Sequence, residues 1–248
     1  MTMGSGTDDL AGKVAIVTGS QGALGESISA ALSRRGATVV GVDIAGDADM
    51  VADISSATDN ERVVEETVSR YGRLDILALN AGVQHLAPIN EFPPGKWTQL
   101  TGVMLTGPFL MMAAAWEHLA AAGQGRIVAT ASTSSFVAEK YKAAYVAAKH
   151  GLLGLVKVAA LEGAEKGITV NAVAPSWMRT AMVEKQVAER SRLLGKSADD
   201  VIADLVAEQA VKRFVEPDEV AETIAFLASP RAAAITGSCV PVDLGALA

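Results

Sequence analysis

Short apolar runs alternate with amphipathic segments along most of the chain. The first run, "KVAIVTGS", ends in glycine and serine, and the segment after it, "ALGESISAALSRRGA", carries apolar residues at helical spacing. The same alternation predicts six further strands, which are "TVVGVD", "DMVADI", "LDILALNAG", "GRIVATAS", "GITVNAVAPS" and "SCVPVD". The longest helices predicted between them run from about 96 to 121 and from about 141 to 162. Because the strands are apolar nearly throughout, the pattern predicts a doubly wound α/β fold, a seven-stranded parallel sheet with helices on both faces.

Polar residues and glycines follow three of the predicted strands: Gly19 the first, Asn80 the fourth and Ser132 the fifth. Since the carboxyl ends of parallel strands form one rim of a sheet, and ligands bind beyond that rim, these residues predict a binding site there. The charged stretch 179–213, just after the sixth strand, is a candidate lid over a substrate. With no linker-like segment, residues 1–248 are expected to form one domain.

Composition and charge narrow the classes of partner. Half of the 248 residues are hydrophobic, which suffices for a large core, and the net charge of −7 disfavours nucleic acid and anionic membranes as partners. The first ten residues have neither the basic nor the apolar region of a secretory signal. Charges such as Lys149 and Lys157 interrupt the apolar runs, so no membrane-spanning segment is expected.

Cysteine and histidine are scarce, which bears on metals and redox state. Cys239 is the only cysteine, so an internal disulfide and a cysteine-built zinc site are excluded. His85, His118 and His150 show no paired ligand spacing, and no metal site is predicted. A reducing, cytoplasmic location fits this composition.

The stretch "VTGSQGALG" lies between the first predicted strand and helix, with glycines at Gly19, Gly22 and Gly25. It does not match the G-x-G-x-x-G fingerprint, but exposed backbone N–H groups and a helix dipole at this place favour a pyrophosphate. A glycine turn that binds no ligand is the alternative. Position along the chain therefore makes this turn a candidate dinucleotide site.

Asp43 ends the second predicted strand, 24 residues after Gly19. An acid near this place accepts hydrogen bonds from an adenosine ribose diol, although an aspartate at a strand end is as often only a turn residue. The following "IAGDAD" offers no arginine or lysine for a 2′-phosphate, and Asp47 and Asp49 would repel one. The expected cofactor is NAD rather than NADP.

Tyr145 and Lys149 stand four residues apart in the alanine-rich run "YVAAK", which places them one turn apart on one helix face. Ser132 lies thirteen residues before Tyr145. Taken alone, the pair is also compatible with a buried tyrosine beside a lysine whose stem lies along the helix.

These residues, together with "NAG" at 80–82, resemble the short-chain dehydrogenase/reductase family over about 12 to 242. The resemblance implies a Rossmann-like fold in which Tyr145 is the catalytic acid/base, Lys149 holds the nicotinamide ribose and Ser132 hydrogen-bonds the reacting oxygen. A free tyrosine has a pKa of about 10. A neighbouring ammonium and an oxidised nicotinamide are expected to lower the pKa of Tyr145 and favour its phenolate.

Within that family the chain is most similar to the D-3-hydroxybutyrate dehydrogenases, through "NAGVQHLAPINEFP", "KAAYVAAKHGLLGLVKVAALE" and "WMRTAMVEKQ". This similarity implies a substrate site in which Lys142 and the amides of Gln84 and Gln186 bind a carboxylate. The implied substrate residues are Gln84, Ser132, Ser134, Lys142, Tyr145, Trp177 and Gln186. It implies a cofactor site made, with Tyr145 and Lys149, by Gly19, Gln21, Leu24, Gly25, Asp43, Asp53, Ile54, Asn80, Ala81, Gly82, Pro175, Met178 and Thr180.

The chain departs from the family pattern at Ala23 and Ser176, where the family has glycine, and at Leu79 and Met104, where it has asparagine. Ser134 replaces a histidine that the D-3-hydroxybutyrate dehydrogenases have at this position. The implied function is NAD-dependent interconversion of a secondary alcohol and a ketone, with a small 3-hydroxy acid as substrate. The alternatives are the same reaction on an uncharged cyclic or aliphatic alcohol, and a weakly active cofactor-binding subunit or sensor. The resemblance also implies a homotetramer built through the two long helices.

Overall fold

The computed structural model describes residues 8–248, and its centre is an all-parallel sheet of seven strands in the order β3-β2-β1-β4-β5-β6-β7. The strands are β1 Val14–Thr18, β2 Thr38–Asp43, β3 Met50–Val51, β4 Ile76–Leu79, β5 Arg126–Thr130, β6 Thr169–Pro175 and β7 Cys239–Val242. The order reverses direction between β1 and β4, which in a doubly wound sheet opens a crevice at the carboxyl ends of these strands. The predicted fold class is confirmed.

Helices cover both faces of the sheet, and each face has its own apolar core. Helices α2, α4 and α5 cover one face and α1 and α8 the other. The helices are α1 Ala23–Arg34, α2 Ala57–Tyr71, α3 Pro94–Thr101, α4 Gly107–Ala121, α5 Ala143–Ala164, α6 Ala181–Leu194, α7 Ala198–Ala207 and α8 Pro217–Leu227.

The third strand is much shorter than the predicted "DMVADI", since only Met50 and Val51 pair with β2. The chain turns at Asp53, whose carboxylate accepts hydrogen bonds from the backbone N–H and the hydroxyl of Ser55. An aspartate that bonds its own backbone two residues on favours a turn over a strand. The turn brings Asp53 and Ile54 to the rim of the sheet.

The long helix predicted over 96–121 is divided by a π-helical turn at Gly102–Thr106, so that α3 and α4 flank it. The backbone N–H of Gly107 donates to the carbonyl of Gly102, five residues back. Gly107 also approaches the neighbouring chain closely, because a Cβ there would lie 2.8 Å from the carbonyl oxygen of Ile54. A single extra residue in a helix turn re-aims the side chains that follow it.

Helix α5 is long and apolar enough to span a membrane by length and composition, which corrects the expectation that no segment qualifies. Its inner face packs in the core against the sheet through Leu152 and Val156, and it carries Lys149 into the fold. Val158 and Leu161 on the outer face are exposed. The packing of its inner face explains the apolar composition of this helix as that of a core helix.

The charged segment predicted as a lid contains α6 and α7, which surround a small apolar core of their own. Trp177, Val183, Val187, Val201 and Leu205 form this core. Thr180 caps α6 by accepting a hydrogen bond from the backbone N–H of Val183. The first two turns of α6 therefore lie at the carboxyl end of β6, beside the rim of the sheet.

Candidate active site

A cavity of about 590 Å³ opens at the carboxyl ends of the strands, and all of the predicted cofactor and substrate residues line it. The cofactor residues lie at or beyond the ends of β1, β2, β3 and β4, with Pro175 at the end of β6 and Met178 and Thr180 after it. The substrate residues follow β4, β5 and β6 or lie at the start of α5 and on α6. The rim predicted from the strand ends is thus one continuous site.

The turn after β1 can be built only with glycine at two positions. Gly19 has a φ of +67°, and a Cβ on it would lie 2.7 Å from the Cα of Ala81. A Cβ on Gly25 would lie 2.0 Å from the carbonyl oxygen of Gly19. Gly22 is the N-cap of α1 and has no side chain that could accept from the helix N-terminus. The first N–H groups of this helix are therefore available to a ligand anion. The turn fits a pyrophosphate.

Asn80 holds this turn in place rather than presenting its amide to a ligand. Its Nδ2 donates to the carbonyls of Thr18 and Gly19, at 3.1 and 3.2 Å, and its Oδ1 accepts from the hydroxyl of Thr130 at 3.2 Å. The side chain therefore joins the ends of β1, β4 and β5. Ala81 and Gly82 follow it along the cavity wall.

Asp43 lies at the cofactor end with both carboxylate oxygens already bonded. Oδ2 accepts from the backbone N–H of Gln21 at 3.0 Å, and Oδ1 accepts from that of Ile44 at 2.7 Å. Each oxygen keeps a second lone pair for a hydroxyl donor. Asp47 and Asp49 do not line the cavity, and Asp49 accepts from the N–H of Gly41 instead, so the expected repulsion depends on Asp43 alone.

Ser132, Tyr145 and Lys149 converge at the middle of the cavity. Ser132 is the N-cap of a short 3-10 turn, and its hydroxyl accepts from the N–H of Ser134 at 3.1 Å. The ammonium of Lys149 donates to the carbonyl of Thr130 and lies 5.7 Å from the centre of the Tyr145 ring. Burial lowers the pKa of Lys149 to about 8.

The residues of the protein raise the pKa of Tyr145, and Lys149 is not among the groups that lower it, so the expected lowering depends on an oxidised nicotinamide. Burial causes the rise, the contact with Ser132 opposes it, and the charge of Glu139 adds to it. Lys149 does not offset this effect, because its ammonium is bonded to Thr130 rather than to the phenol. The residues of the protein alone therefore favour the neutral phenol.

Lys142 is buried, with 4% of its surface exposed, which excludes a solvated surface lysine. It precedes α5 as the N-cap residue, so it is not on the helix as predicted, yet its Nζ lies 5.5 Å from the centre of the Tyr145 ring and 4.2 Å from that of Trp177. The preceding Tyr141 has a φ of +71°, a conformation that a bulky residue rarely adopts. Its carbonyl accepts from the N–H of Ala87, which fixes the turn that leads into Lys142.

The two predicted amides also face the cavity. Gln186 on α6 is buried, and its Oε1 has no hydrogen-bond partner among residues 8–248. The Oε1 of Gln84 accepts from the backbone N–H of His85 at 3.0 Å, which leaves its NH₂ group for a ligand. Lys142, Gln84 and Gln186 thus line one end of the cavity together.

The sequence interpretation missed Glu139 and Arg190. Glu139 lines the cavity, and its Oε1 lies 3.1 Å from the Nζ of Lys142, while the Nη2 of Arg190 on α6 donates to its Oε2 at 2.7 Å. Ser134 donates to Glu139 Oε1 at 2.7 Å, so its hydroxyl is not free for a substrate as expected. The only signal in the sequence was an acid three residues before Lys142, and outside a helix this spacing does not predict a contact.

Residues 19–246 match the model of a family described as enoyl-(acyl carrier protein) reductase. The chain is 38% identical to a D-beta-hydroxybutyrate dehydrogenase of Cupriavidus necator, over 95% of this chain and 98% of the relative. It is 36% identical to the enzyme of that name from Rhizobium meliloti, over 94% and 98%. The chain belongs to the short-chain dehydrogenase/reductase family.

A solved structure agrees with this assignment. The ligand-free aldohexose dehydrogenase of Thermoplasma acidophilum superposes with a TM-score of 0.90 at 29% identity, covering 98% of this chain and 96% of that one. The chain is therefore an oxidoreductase that interconverts an alcohol and a ketone with a nicotinamide cofactor. The turn between Gly19 and Gly25, which added Cβ atoms would close, fits the pyrophosphate of that cofactor.

The departures from the family pattern have structural explanations. Ala23 begins α1, where a side chain is compatible with the helix, and Leu79 is buried in the core. The hydroxyl of Ser176 donates to Gln209 and to the carbonyl of Asp243, which ties the end of β6 to the C-terminal segment. Met104, in the π-helical turn, is buried with Leu100, Ala144 and Ala148 and serves as packing.

We expect Met104→Asn to raise kcat where proton release limits turnover, because a side-chain amide can hold water that carries protons away from Lys149. A thioether is only a weak acceptor. The buried amide should lower the stability of the protein by about 1–3 kcal/mol while the fold persists. Pre-steady-state and steady-state rates in H₂O and D₂O test this, with Met104→Leu as the control. An unchanged kcat alongside a clear solvent isotope effect would show that another group supplies the relay.

Proposed function

We propose that the protein is an NAD-dependent dehydrogenase that interconverts a small 3-hydroxy acid, such as 3-hydroxybutyrate, and the corresponding 3-oxo acid. The observation that carries this proposal is the buried cation of Lys142 on the same cavity wall as Tyr145 and Ser132. A buried lysine that retains free N–H donors is suited to a carboxylate. The relatives named D-beta-hydroxybutyrate dehydrogenase support the same substrate class.

In this proposal Lys142, Gln84 and Gln186 bind the substrate carboxylate and so orient the adjacent carbinol toward Tyr145. The hydroxyl of Ser132 bonds the reacting oxygen. During reduction the Oη of Tyr145 donates its proton to that oxygen, and during oxidation its phenolate, which the positive charge of an oxidised nicotinamide would favour, takes the carbinol proton. Lys149 holds the nicotinamide ribose, and the nicotinamide accepts or supplies the hydride when bound. Binding at both ends of the substrate presents one face of the carbon for reaction.

A screen of small hydroxy acids and neutral secondary alcohols with NAD and NADP tests this proposal, read at the absorbance of reduced nicotinamide. We expect 3-hydroxybutyrate to be oxidised with a higher kcat/KM than 2-butanol, which has the same reacting group without the carboxylate. Oxidation of neutral alcohols with no activity on 3-hydroxy acids would refute the substrate class.

The second candidate is the same reaction on an uncharged cyclic or aliphatic alcohol. Glu139 favours it, because this carboxylate already pairs with Lys142. A third reading, a weakly active cofactor-binding subunit, has the replacement of an asparagine by Met104 in its favour. The convergence of Ser132, Tyr145 and Lys149 on one cavity weighs against it.

NAD is the proposed cofactor because Asp43 lines the cavity at the end of β2, where an acid favours a ribose diol over a 2′-phosphate. Within residues 8–248, the lysines and arginines that line the cavity are Lys142 and Lys149, and both lie at the reaction end. Asp43→Ser combined with Ile44→Arg should therefore shift the ratio of kcat/KM values toward NADP by about 10²-fold, since a cation replaces a repelling carboxylate. Initial rates with both cofactors measure the shift, and Asp47→Ser, which lies outside the cavity, is the matched control. A wild-type protein that prefers NADP would show that Asp43 is not the selecting residue.

We infer a homotetramer built through the outer faces of α4 and α5. Phe109, Val158 and Leu161 are 52%, 53% and 78% exposed there, and apolar side chains of this size on neighbouring helices favour association. Light scattering coupled to size-exclusion chromatography should give four times the chain mass of 25.5 kDa. A monomeric mass at micromolar concentration would refute this assembly.

Localisation in the cytoplasm stays a prediction.

A further inference from the structure

Three hydrogen-bond donors converge on the carboxylate of Glu139. Its Oε1 accepts from the hydroxyl of Ser134 and the ammonium of Lys142, and its Oε2 accepts from the guanidinium of Arg190. Burial raises the pKa of Glu139, but the combined effect of Lys142, Ser134 and Arg190 is larger and lowers it. The pKa of Glu139 is therefore below its usual value, and the group is ionised at neutral pH. A fixed negative charge therefore lies in the wall of the substrate end of the cavity.

The surrounding elements fix this charge in position. Ser134 lies in the turn after β5, Lys142 at the start of α5 and Arg190 on α6. Trp177 contacts both cations, with its ring centre 4.2 Å from the Nζ of Lys142 and 4.9 Å from the Cζ of Arg190. The indole nitrogen of Trp177 donates to Glu208 at 2.6 Å. Movement of Glu139 would break contacts to three elements at once.

The charges of this network balance before a substrate binds. Lys142 and Arg190 contribute two positive charges, and Glu139 and Glu208 contribute two negative ones. Lys142 uses one of its three N–H donors on Glu139, which leaves donors for a substrate carboxylate. A carboxylate bound there would lie close to Glu139, and like charges at such a distance repel strongly where water is scarce.

This inference rests on the proposed function and concerns the selectivity of the same site. We propose that Glu139 is a specificity-determining residue: it competes with the substrate carboxylate for Lys142 and restricts the site to substrates with at most one negative charge. It contacts the cation that binds the substrate, and neither the sequence pattern nor the similarity to known dehydrogenases assigns it a role.

The test is Glu139→Gln, which keeps the shape of the side chain and one acceptor oxygen, for either Ser134 or Arg190. The KM for 3-hydroxybutyrate should fall by about 10-fold with kcat nearly unchanged, because a repelling charge is removed from the bound state. The KM for 2-butanol should stay within about twofold. 3-Hydroxyglutarate, which has the same carbinol and a second carboxylate, should gain more in kcat/KM than 3-hydroxybutyrate. Glu184→Gln, an exposed acid on α6, is the matched control.

A higher or unchanged KM for 3-hydroxybutyrate in Glu139→Gln would overturn the proposal, since Glu139 would then support Lys142 rather than compete for it. Equal changes for 3-hydroxybutyrate and 2-butanol would overturn it as well. If Glu139→Gln fails to fold, Lys142→Met with Glu139→Gln removes both charges, and its KM for 3-hydroxybutyrate should lie below that of Lys142→Met alone. A KM equal to or above that of the single variant would refute the competition.

Failure of the proposed function has a different signature. In that case the wild type oxidises no 3-hydroxy acid, and the site is probed with butyrate as a competitive inhibitor of the neutral alcohol that is turned over. Glu139→Gln should then lower the inhibition constant of butyrate by about 10-fold and leave that of butyramide unchanged. An inhibition constant for butyrate that does not fall would count against Glu139 independently of the natural substrate.

Discussion

Tyr145→Phe should abolish turnover and leave the binding of NADH nearly intact. In the proposed reaction the phenol hydroxyl, which contacts Ser132, exchanges the proton, and phenylalanine keeps the ring and its packing against Leu100 and Met104. Loss of a positioned acid/base lowers kcat on the order of 10²–10⁴-fold. An interaction made only in the transition state affects kcat and kcat/KM equally. Stopped-flow rates give the first quantity, and fluorescence titration with NADH gives the cofactor affinity.

Tyr71→Phe is the matched control, because Tyr71 ends α2 and does not line the cavity. It should retain the wild-type kcat. Substantial activity in Tyr145→Phe would remove Tyr145 from the mechanism, whereas a parallel loss of NADH affinity would indicate a disturbed cofactor site rather than a lost proton donor.

Lys142→Ala should lower kcat/KM for 3-hydroxybutyrate by about 10- to 150-fold. This loss corresponds to about 1.5–3 kcal/mol of transition-state stabilisation, the usual range for a hydrogen bond to a charged group. The structure makes the upper part of this range the expected one, because removal of Lys142 leaves Glu139 facing the substrate carboxylate. The kcat/KM for 2-butanol should hardly change. The difference between the two substrates isolates the contribution of charge recognition.

Lys140→Ala provides the control for this variant, since Lys140 is exposed two residues away and does not line the cavity. Equal losses for 3-hydroxybutyrate and 2-butanol would mean that Lys142 supports the site structurally through Trp177 and Glu139. In that event the carboxylate clamp would have to be sought at Gln84 and Gln186.

The sequence predicted the fold and the rim residues because both depend on local patterns. Apolar strands alternating with helices define a parallel sheet, and in such a sheet the residues after β1, β4 and β5 meet whatever the detailed packing. Gly19 and Gly25 were recognised by their place between β1 and α1. The structure adds the physical reason, which is the approach of Gly19 to Ala81 and of Gly25 to the carbonyl of Gly19.

The sequence did not predict features that depend on contacts between distant segments. Glu139 meets Arg190, which lies 51 residues later, and no local pattern reports that pair. The raised pKa of Tyr145 follows from burial and from the charge of Glu139. The predicted length of β3 was too great, because the apolar run continues into the turn at Asp53. Hydrogen bonds from Ser55 to the Asp53 carboxylate stabilise that turn and end the strand.

The hydrogen bonds of Asn80 have a consequence for how the protein loses activity on heating. Lys149 bonds the carbonyl of Thr130, the hydroxyl of Thr130 bonds Asn80, and Asn80 bonds the carbonyl of Gly19. Lys149 and the glycine turn after β1 are therefore linked by a short chain of hydrogen bonds at the centre of the sheet. A region tied to core strands opens only with the free energy of global unfolding. Thermal inactivation should accordingly be a single cooperative event, with no inactive yet folded form preceding it.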